Sequence, residues 1–354
     1  MRIAVTGATG NVGTAVLRRL TVDGGHEVVG LARRLPDEGS WPGVRWASVD
    51  LTDQGAVDTL SEAFAGADAV VHLAWGFQPS HRLGYLEELG VGGTSRVLEA
   101  VTRAGVGHLV HMSSVGAYSP KVDDTPVDET WPTEGVPSSP YSTHKAAAER
   151  LLDAFEQGRP TTVVTRMRPG IIGQRDAGSA LLRYGVPSIV PARALSWIPV
   201  LPLDRRLKIP MVHADDVAAA IDLALQSATP GPFNLAAEPA VTTAAIGEVL
   251  SARPVHVPAP VVRAAAAAAW HARLQQVDPG WVDLGYAVPL LDCGRASRQL
   301  GWTPHAGALE VLSETVDGVL HAASQRTPVL RPRSVAQQLG ALVRRGPVSS
   351  RPRP

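Results

Sequence analysis

The chain has 354 residues, of which 45% are hydrophobic and 19% are charged, a composition typical of a folded protein with a sizeable core. Lysine plus arginine and aspartate plus glutamate each number 33, so a net charge of zero gives no general attraction to nucleic acid or to a membrane. One cysteine excludes a disulfide within the chain and a cysteine metal site, and no apolar run approaches the roughly 20 residues of a membrane span. We therefore expect a cytoplasmic protein with no membrane, nucleic-acid or metal partner and with no leader before the apolar run at Arg2.

The first half of the chain alternates short apolar runs with segments of helical periodicity. Predicted strands occupy 2–6, 26–33, 44–50, 67–74, 107–114 and 161–169. The strongest helical patterns lie at 82–104 and 141–155. Strands separated by helices are typical of a parallel sheet that is covered on both faces. Right-handed crossovers then predict an α/β protein with a doubly wound, Rossmann-type parallel sheet.

After Pro169 the alternation gives way to short apolar pieces separated by prolines. Helical periodicity returns at 214–226, another strand is predicted at 231–236, and 241–323 is mostly helical. Residues 324–354 contain seven arginines, five prolines and no acid, which predicts a disordered basic tail, with a basic arm for an anionic partner as the alternative. We expect 1–168 with about 211–237 to form the Rossmann domain, and about 169–210 with 238–323 to form a smaller, mostly helical substrate domain.

Three glycines shape the turn TGATGNVG at 6–13, which follows a predicted strand and opens a predicted helix. Glycine at positions 7, 10 and 13 lets the backbone approach a pyrophosphate, and the N–H groups of the helix N-terminus then face the anion. A plain tight turn is the alternative interpretation. The context of strand before and helix after favours dinucleotide binding.

The end of the second strand, GLARR, indicates which dinucleotide is bound. Ala32 occupies the place of the acid that would hydrogen-bond the ribose 2′-OH of NAD. Arg33 and Arg34 follow, and arginine can hold a 2′-phosphate in bidentate fashion, so NADP is predicted in preference to NAD. An exposed, solvated arginine pair is the alternative. Asp50, with Leu51 behind it, ends the third strand and is placed to meet the adenine edge.

The motif YSTHK places Tyr141 and Lys145 four residues apart on a predicted helix, where they share one face. An ammonium and a positively charged nicotinamide should lower the phenol pKa from about 10, so that the pair can act as acid and base on an alcohol oxygen. Ser114 ends the predicted fifth strand at the ligand-binding edge of the sheet and can hold the substrate oxygen. An ordinary surface Tyr and Lys is the alternative, but a chain with only three lysines keeps one here.

These motifs together resemble the extended short-chain dehydrogenases/reductases, the NAD-dependent epimerase/dehydratase family. The resemblance rests on TGATGNVG, HLAW, HMSSVGAY, YSTHK and RPGIIG in that order, with VHADDVAAAI, FNLAAE and LDCGRASRQLGWTP later in the chain. It covers about residues 1–323. It implies a Rossmann domain with a smaller C-terminal substrate domain, and a homodimer formed through the helices at 82–104 and 141–156.

The resemblance also implies roles for individual residues. Ser114, Tyr141 and Lys145 correspond to the catalytic triad. The implied cofactor-binding residues are Gly7, Thr9, Gly10, Asn11, Val12, Gly13, Arg33, Arg34, Asp50, Leu51, Leu73, Ala74, Trp75, Met112, Tyr141, Lys145, Pro169, Gly170, Ile171 and Ile172. Substrate contacts are expected at Trp75, Gln78, Ser114 and Arg175. Gly90 departs from the family pattern, because it stands in place of an asparagine that supports a proton relay through water.

The function indicated is NADP-dependent hydride transfer between nicotinamide and a small carbonyl compound or secondary alcohol, with Tyr141 as the acid/base. Two alternatives stay open. One is an epimerase or dehydratase of the nucleotide-sugar type that retains its NAD(P). The other is a non-catalytic NADP(H)-binding regulator, which Gly90 favours and the intact Ser-Tyr-Lys set opposes. The run RMRPGIIGQRD is closer to the reductase branches than to the nucleotide-sugar epimerases.

Overall fold

Twelve strands in the described part of the chain form three sheets. The computed structural model describes residues 1–22, 24–77, 80–185 and 191–333. The strands are β1 (Arg2–Thr6), β2 (Glu27–Ala32), β3 (Val44–Ser48), β4 (Ala69–His72), β5 (His108–Met112), β6 (Val163–Pro169), β7 (Ile171–Gly173), β8 (Val200–Leu203), β9 (Lys208–His213), β10 (Gly231–Leu235), β11 (Ala237–Thr242) and β12 (Arg253–His256). The helices are α1 (Asn11–Thr21), α2 (Ala56–Phe64), α3 (Leu83–Glu87), α4 (Gly93–Ala104), α5 (Pro140–Gly158), α6 (Gly178–Gly185), α7 (Ala214–Ser227), α8 (Thr243–Val249), α9 (Ala259–His271), α10 (Pro279–Ala287), α11 (Gly294–Leu300) and α12 (Ala308–Leu320). No helix in these ranges combines the length and apolar character that a membrane crossing requires.

The central sheet is parallel and has seven strands in the order β10-β6-β5-β4-β1-β2-β3. From β1 the chain runs outward to β2 and β3, and it then returns to place β4 on the other side of β1. The carboxyl ends of β1 and β4, where Thr6 pairs with His72, therefore form the switch point at which such sheets bind ligands. This topology confirms the predicted doubly wound α/β fold.

Helices cover both faces of the central sheet because successive side chains of a strand point to opposite faces. Ile3 and Val5 of β1 pack with α1 and α7, whereas Ala4 packs with α2, α4 and α5. All three side chains are fully buried. The continuous apolar run of β1 is thus that of a strand covered on both sides.

The second half of the chain adds two small sheets that the sequence pattern does not predict. One has the order β11-β9-β7, and β8 pairs with β12 in the other. These strands have three to six residues, so they are too short to show a periodicity among the prolines. Helix α12 packs on the three-stranded sheet through Val311 and Leu312, which join a cluster with Met211 and Val241. Helices α8 to α12 agree with the mostly helical pattern predicted for 241–323.

Residues 324–333 lie against the body of the protein, in contrast to the predicted disordered basic tail. Thr327 and Leu330 are only 3% and 1% exposed. The Thr327 hydroxyl donates a hydrogen bond of 2.9 Å to the carbonyl of Thr9. The basic, proline-rich composition of this segment did not indicate these two buried side chains, one polar and one apolar, which bind it to the rest of the protein. The rest of the predicted tail, 334–354, lies outside the described residues.

Candidate active site

The turn after β1 accepts only glycine at two positions. Gly7 has φ of +70°, and a Cβ there would lie 2.7 Å from the backbone nitrogen of Ala74. A Cβ on Gly13 would lie 2.3 Å from the carbonyl oxygen of Gly7. Gly10 precedes α1, and within the described chain no side chain caps this helix start. The bare N–H groups and the space left by missing side chains fit a pyrophosphate.

A cavity of about 480 Å³ lies at the carboxyl ends of β1, β2, β4 and β5. It brings together all the described residues that the sequence analysis assigns to the cofactor or to catalysis. Those residues are Gly7, Thr9, Gly10, Asn11, Val12, Gly13, Arg33, Arg34, Asp50, Leu51, Leu73, Ala74, Trp75, Met112, Ser114, Tyr141, Lys145, Pro169, Gly170, Ile171 and Ile172. A volume of this size and a mostly apolar lining are typical of a small-molecule or cofactor site.

Only some of the residues predicted to contact substrate line the cavity. Trp75 and Ser114 line the cavity. Arg175 does not, because its Nε donates to a carboxylate oxygen of Asp317 at 2.8 Å on the exposed side of α12. The structure therefore does not bring Arg175 to the cavity, and its assignment to the substrate stays a prediction. Gln78 lies outside the described residues.

Tyr141 lies in the first turn of α5, beside the loop that follows β5. Ser139 caps this helix, and the Ser142 hydroxyl donates to the carbonyl of Gly116 at 2.5 Å, which fixes the helix to that loop. A Cβ on Gly116 would lie 2.9 Å from the Tyr141 ring, so the ring packs directly on the loop backbone. These contacts bring Tyr141 within hydrogen-bonding reach of Ser114.

Burial controls the protonation of both titratable residues on α5. It raises the pKa of Tyr141 to about 12, and the hydrogen bond with Ser114 opposes that shift. It lowers the pKa of Lys145 to about 7, with the Glu149 carboxylate acting in the opposite direction. The Lys145 ammonium donates to the carbonyl of Met112 at 2.8 Å. Burial thus raises the phenol pKa, and the lowering expected from Lys145 together with a positively charged nicotinamide stays a prediction.

The indole of Trp75 accounts for the glycine at position 90. The Lys145 Nζ lies 3.6 Å from the centroid of the Trp75 ring, in a cation–π contact. The other side of this ring packs on the π-helical turn Glu88–Gly92, where a Cβ on Gly90 would lie 2.9 Å from an indole carbon. The indole of Trp75 therefore occupies the space that an asparagine side chain at position 90 would need, and it also covers Lys145.

A buried ion cluster that the sequence analysis missed joins helix α5 to strand β6. Glu149, one turn after Lys145, accepts hydrogen bonds from Arg168 at 2.9 and 3.0 Å and from Arg166 at 2.8 Å. The Ser113 hydroxyl donates to the same carboxylate at 2.5 Å. These charge-assisted bonds hold the pKa of Glu149 down, at about 2, against the effect of burial. Two arginines in an otherwise buried predicted strand, VVTRMRP, were the available signal, because buried charges require partners.

Arg33 and Arg34 line the part of the cavity nearest to the end of β2. The Arg33 guanidinium donates to the hydroxyl of Tyr85 at 2.8 Å, which orients it. Partial burial, followed by the positive charges of Arg331 and Arg33, lowers the pKa of Arg34. Cationic groups are therefore concentrated at the place where the adenosine ribose is expected.

Aromatic side chains surround Tyr141 on the side away from the glycine turn. The Tyr141 ring lies 4.8 Å from the Trp281 ring and 5.8 Å from the Phe77 ring, centroid to centroid. Phe77 and Trp281 also contact each other edge to face at 5.2 Å. Leu284 and Val288 extend this lining along α10 and just beyond it. The sequence analysis missed the α10 residues, although the spacing of 281, 284 and 288 places them on one helix face.

Few charged residues line the cavity. Among the described residues that line it, the charged ones are Arg33, Arg34, Asp50 and Lys145. All four belong to the residues assigned to the cofactor. The end lined by Phe77 and Trp281 therefore offers an apolar surface beside the Tyr141 hydroxyl.

The fold and the glycine turn define a Rossmann-type dinucleotide-binding protein. A sequence profile described as the NAD dependent epimerase/dehydratase family matches residues 3–236. The chain belongs to this family, which is of the extended short-chain dehydrogenase/reductase type, as its motifs predicted.

Three comparisons place the chain among its relatives. An uncharacterized protein of Mycobacterium tuberculosis is 29% identical over 323 residues, which cover 89% of this chain but only 29% of that protein, so the chain spans less than a third of this relative's length. The 2-alkyl-3-oxoalkanoate reductase of Stenotrophomonas maltophilia is 32% identical over 247 residues, covering 65% of this chain and 67% of the reductase. The structure of Thermus thermophilus UDP-glucose 4-epimerase in complex with NAD is 26% identical with a TM-score of 0.67, covering 91% of this chain and all of that one. That structure contains NAD, so it lends no support to a preference for NADP.

Proposed function

We propose that the chain is an NADP-dependent reductase of small, uncharged and largely apolar carbonyl compounds, which it converts to secondary alcohols. The observation that carries the proposal is the uncharged aromatic surface beside the Tyr141 hydroxyl, formed by Phe77 and Trp281. An apolar pocket binds an apolar substrate by removing its surface from water, and it leaves the charges of an anionic substrate unpaired. The similarity to 2-alkyl-3-oxoalkanoate reductase supports the same class of reaction.

The side chains of the site have complementary roles in this reaction. Bound nicotinamide dinucleotide supplies the hydride chemistry. Tyr141, whose raised pKa keeps it protonated at neutral pH, donates its proton to the carbonyl oxygen. Ser114 orients that oxygen, and Lys145 holds the nicotinamide ribose. Because the phenol is protonated before reaction, it can supply the proton that reduction of a carbonyl requires.

The preference for NADP rests on Arg33 and Arg34, which line the cavity at the end of β2 where Ala32 replaces an acid. A 2′-phosphate would accept hydrogen bonds from these guanidinium groups. NAD is the alternative, which the NAD-bound epimerase structure favours. Titration of the purified protein with NADPH and NADH decides between them, and tighter binding of NADH would contradict the preference.

A nucleotide-sugar epimerase is the second candidate, supported by the similarity to UDP-glucose 4-epimerase over 91% of this chain. Such a substrate carries a diphosphate. In the described part of the cavity, the cationic side chains are those assigned to the cofactor, so a diphosphate beyond Tyr141 would lack a charged partner there. A non-catalytic regulator is the third candidate, and the presence of Ser114, Tyr141 and Lys145 together in the cavity opposes it.

One assay separates the three candidates. The purified protein is supplied with NADPH or NADH and a panel of aliphatic ketones, aromatic ketones and sugar nucleotides, together with Tyr141→Phe. Tyr286→Phe is the matched control, because its hydroxyl accepts a hydrogen bond from the Asp204 amide, away from the cavity. Ketone-dependent oxidation of NADPH that only Tyr141→Phe abolishes supports the reductase. Isomerisation of a sugar nucleotide without net cofactor consumption would establish the epimerase, and cofactor binding without turnover would establish the regulator.

The division into Rossmann and substrate domains, the cytoplasmic location and a homodimer remain predictions of the sequence. Light scattering after size-exclusion chromatography measures the oligomeric state, and a monomeric mass would contradict the dimer.

A further inference from the structure

The segment 324–331, called the C-terminal strap below, lies against the glycine turn. The Thr327 hydroxyl donates to the Thr9 carbonyl at 2.9 Å and accepts from the Leu330 amide at 3.2 Å. The Gln325 amide donates to the Leu330 carbonyl at 2.9 Å, which closes the strap into a compact loop. Since Thr9 belongs to the turn assigned to the pyrophosphate, the strap is bonded directly to the cofactor-binding turn.

The strap is also fastened to the neighbouring helix. The Arg183 guanidinium of α6 donates to the carbonyls of Val329 and Arg331. The Gln325 amide group donates to the Asp176 carboxylate at 2.6 Å, just before α6. The strap therefore has contacts on two sides, the glycine turn and α6, and it spans the distance between them.

Three successive strap residues face the cavity. Pro328, Val329 and Leu330 line it together with Gly10 and Arg34. Leu330 is only 1% exposed although it lies close to the end of the described chain. A dinucleotide held on the glycine turn would therefore have the strap as its outer neighbour.

We propose that the C-terminal strap is a binding element of the cofactor site: it forms an outer wall over a dinucleotide bound on the glycine turn, and it thereby slows release of the cofactor. This role rests on the proposed dinucleotide binding and applies to NADP and NAD alike.

The test measures dissociation constants and dissociation rates of NADPH and NADH in the full-length protein, without any substrate. Thr327→Val removes the hydrogen bond to Thr9 and keeps the shape of the side chain, so both dinucleotides should leave about fivefold faster. Arg183→Gln removes the hydrogen bonds from α6 to the Val329 and Arg331 carbonyls, so it should also speed the release of both dinucleotides. Arg326→Gln is the matched control, because Arg326 is an exposed arginine of the same strap.

The outcomes are distinct. Faster release of both dinucleotides from Thr327→Val and Arg183→Gln, with Arg326→Gln unchanged, supports the proposal. Unchanged or tighter binding in both variants would overturn it, and would show that the strap only packs on the turn or obstructs it. A wild-type protein that binds neither dinucleotide would overturn the proposed function itself, whatever the strap does.

Discussion

The two walls of the cavity differ in the chemical groups that they present. The cofactor wall consists of the turn with Gly7, Gly10 and Gly13 and the arginines after β2, so it presents backbone N–H groups and positive charge. The substrate wall consists of Phe77 and Trp281 with the apolar residues that follow on α10, and it presents side chains without charge. Tyr141 stands where the two walls meet.

This difference has consequences for how each wall responds to substitution. The glycine turn of the cofactor wall depends on side chains that are absent, so a methyl group added at Gly7 or Gly13 collides with backbone. The substrate wall depends on side chains that are present, and truncating one leaves the backbone intact. Changes to the glycine turn should therefore damage folding and cofactor binding together, whereas changes to the substrate wall should alter substrate binding alone.

The largest effect is expected from Gly7→Ala. A Cβ would meet the Ala74 backbone at 2.7 Å, and φ of +70° strains any L side chain, so unfolding free energy should fall by about 4 kcal/mol with loss of dinucleotide binding. Gly105→Ala is the control, since Gly105 has φ of +66° but nothing within 4 Å of its Cβ position. It should lose about 1 kcal/mol and bind normally. Urea unfolding and cofactor titration measure both, and equal effects of the two variants would contradict the steric explanation.

The next largest effect is expected from the buried ion cluster of Glu149, Arg166 and Arg168. Glu149→Gln breaks a buried ion cluster and leaves Arg166 and Arg168 without their shared carboxylate, which should cost about 3 kcal/mol of unfolding free energy at neutral pH. The pKa of Glu149 is lowered from 4.5 to about 2 on folding, so its contribution is full above pH 4.5 and is lost as pH falls toward 2. Unfolding free energies measured between pH 7 and 3 should converge for the two proteins. A constant difference across this range would contradict the role of the charge.

The cofactor wall could be predicted from sequence because its residues are contiguous and its geometry is local. A strand, three glycines and a helix start are enough to specify the turn, and Tyr141 and Lys145 are joined by one helical turn. The substrate wall could not be predicted, because Phe77 and Trp281 come from distant parts of the chain and only the tertiary fold makes them neighbours. The pairing of Arg175 with Asp317, outside the cavity lining, could not be predicted for the same reason, since Asp317 lies on a helix far along the chain.

The substrate wall is tested by Trp281→Ala, with a smaller expected effect. Removing the indole should raise KM for an apolar ketone about tenfold, since part of the substrate surface stays in contact with water. Cofactor affinity should not change, because Trp281 contacts Phe77 and Tyr141 and belongs to the other wall. Trp197→Ala is the control, as Trp197 is 81% exposed. A loss of cofactor affinity as large as the rise in KM would show that the two walls are not separable.

The smallest effect is expected at Gly90, which packs against Trp75 where the cofactor wall and the substrate wall meet. A Cβ on Gly90 would lie 2.9 Å from the indole, so Gly90→Ala should cost about 1 kcal/mol of unfolding free energy despite the better helix propensity of alanine. In a Trp75→Phe background the smaller ring leaves room, and the same change should become neutral or stabilising. Gly84→Ala, in helix α3 with nothing within 4 Å of its Cβ position, should stabilise in both backgrounds. The four unfolding free energies of the Trp75 and Gly90 variants form a double-mutant cycle with an expected coupling of about 1 kcal/mol. Additive effects would mean that the indole does not determine the residue at position 90, and the missing asparagine would then require another explanation.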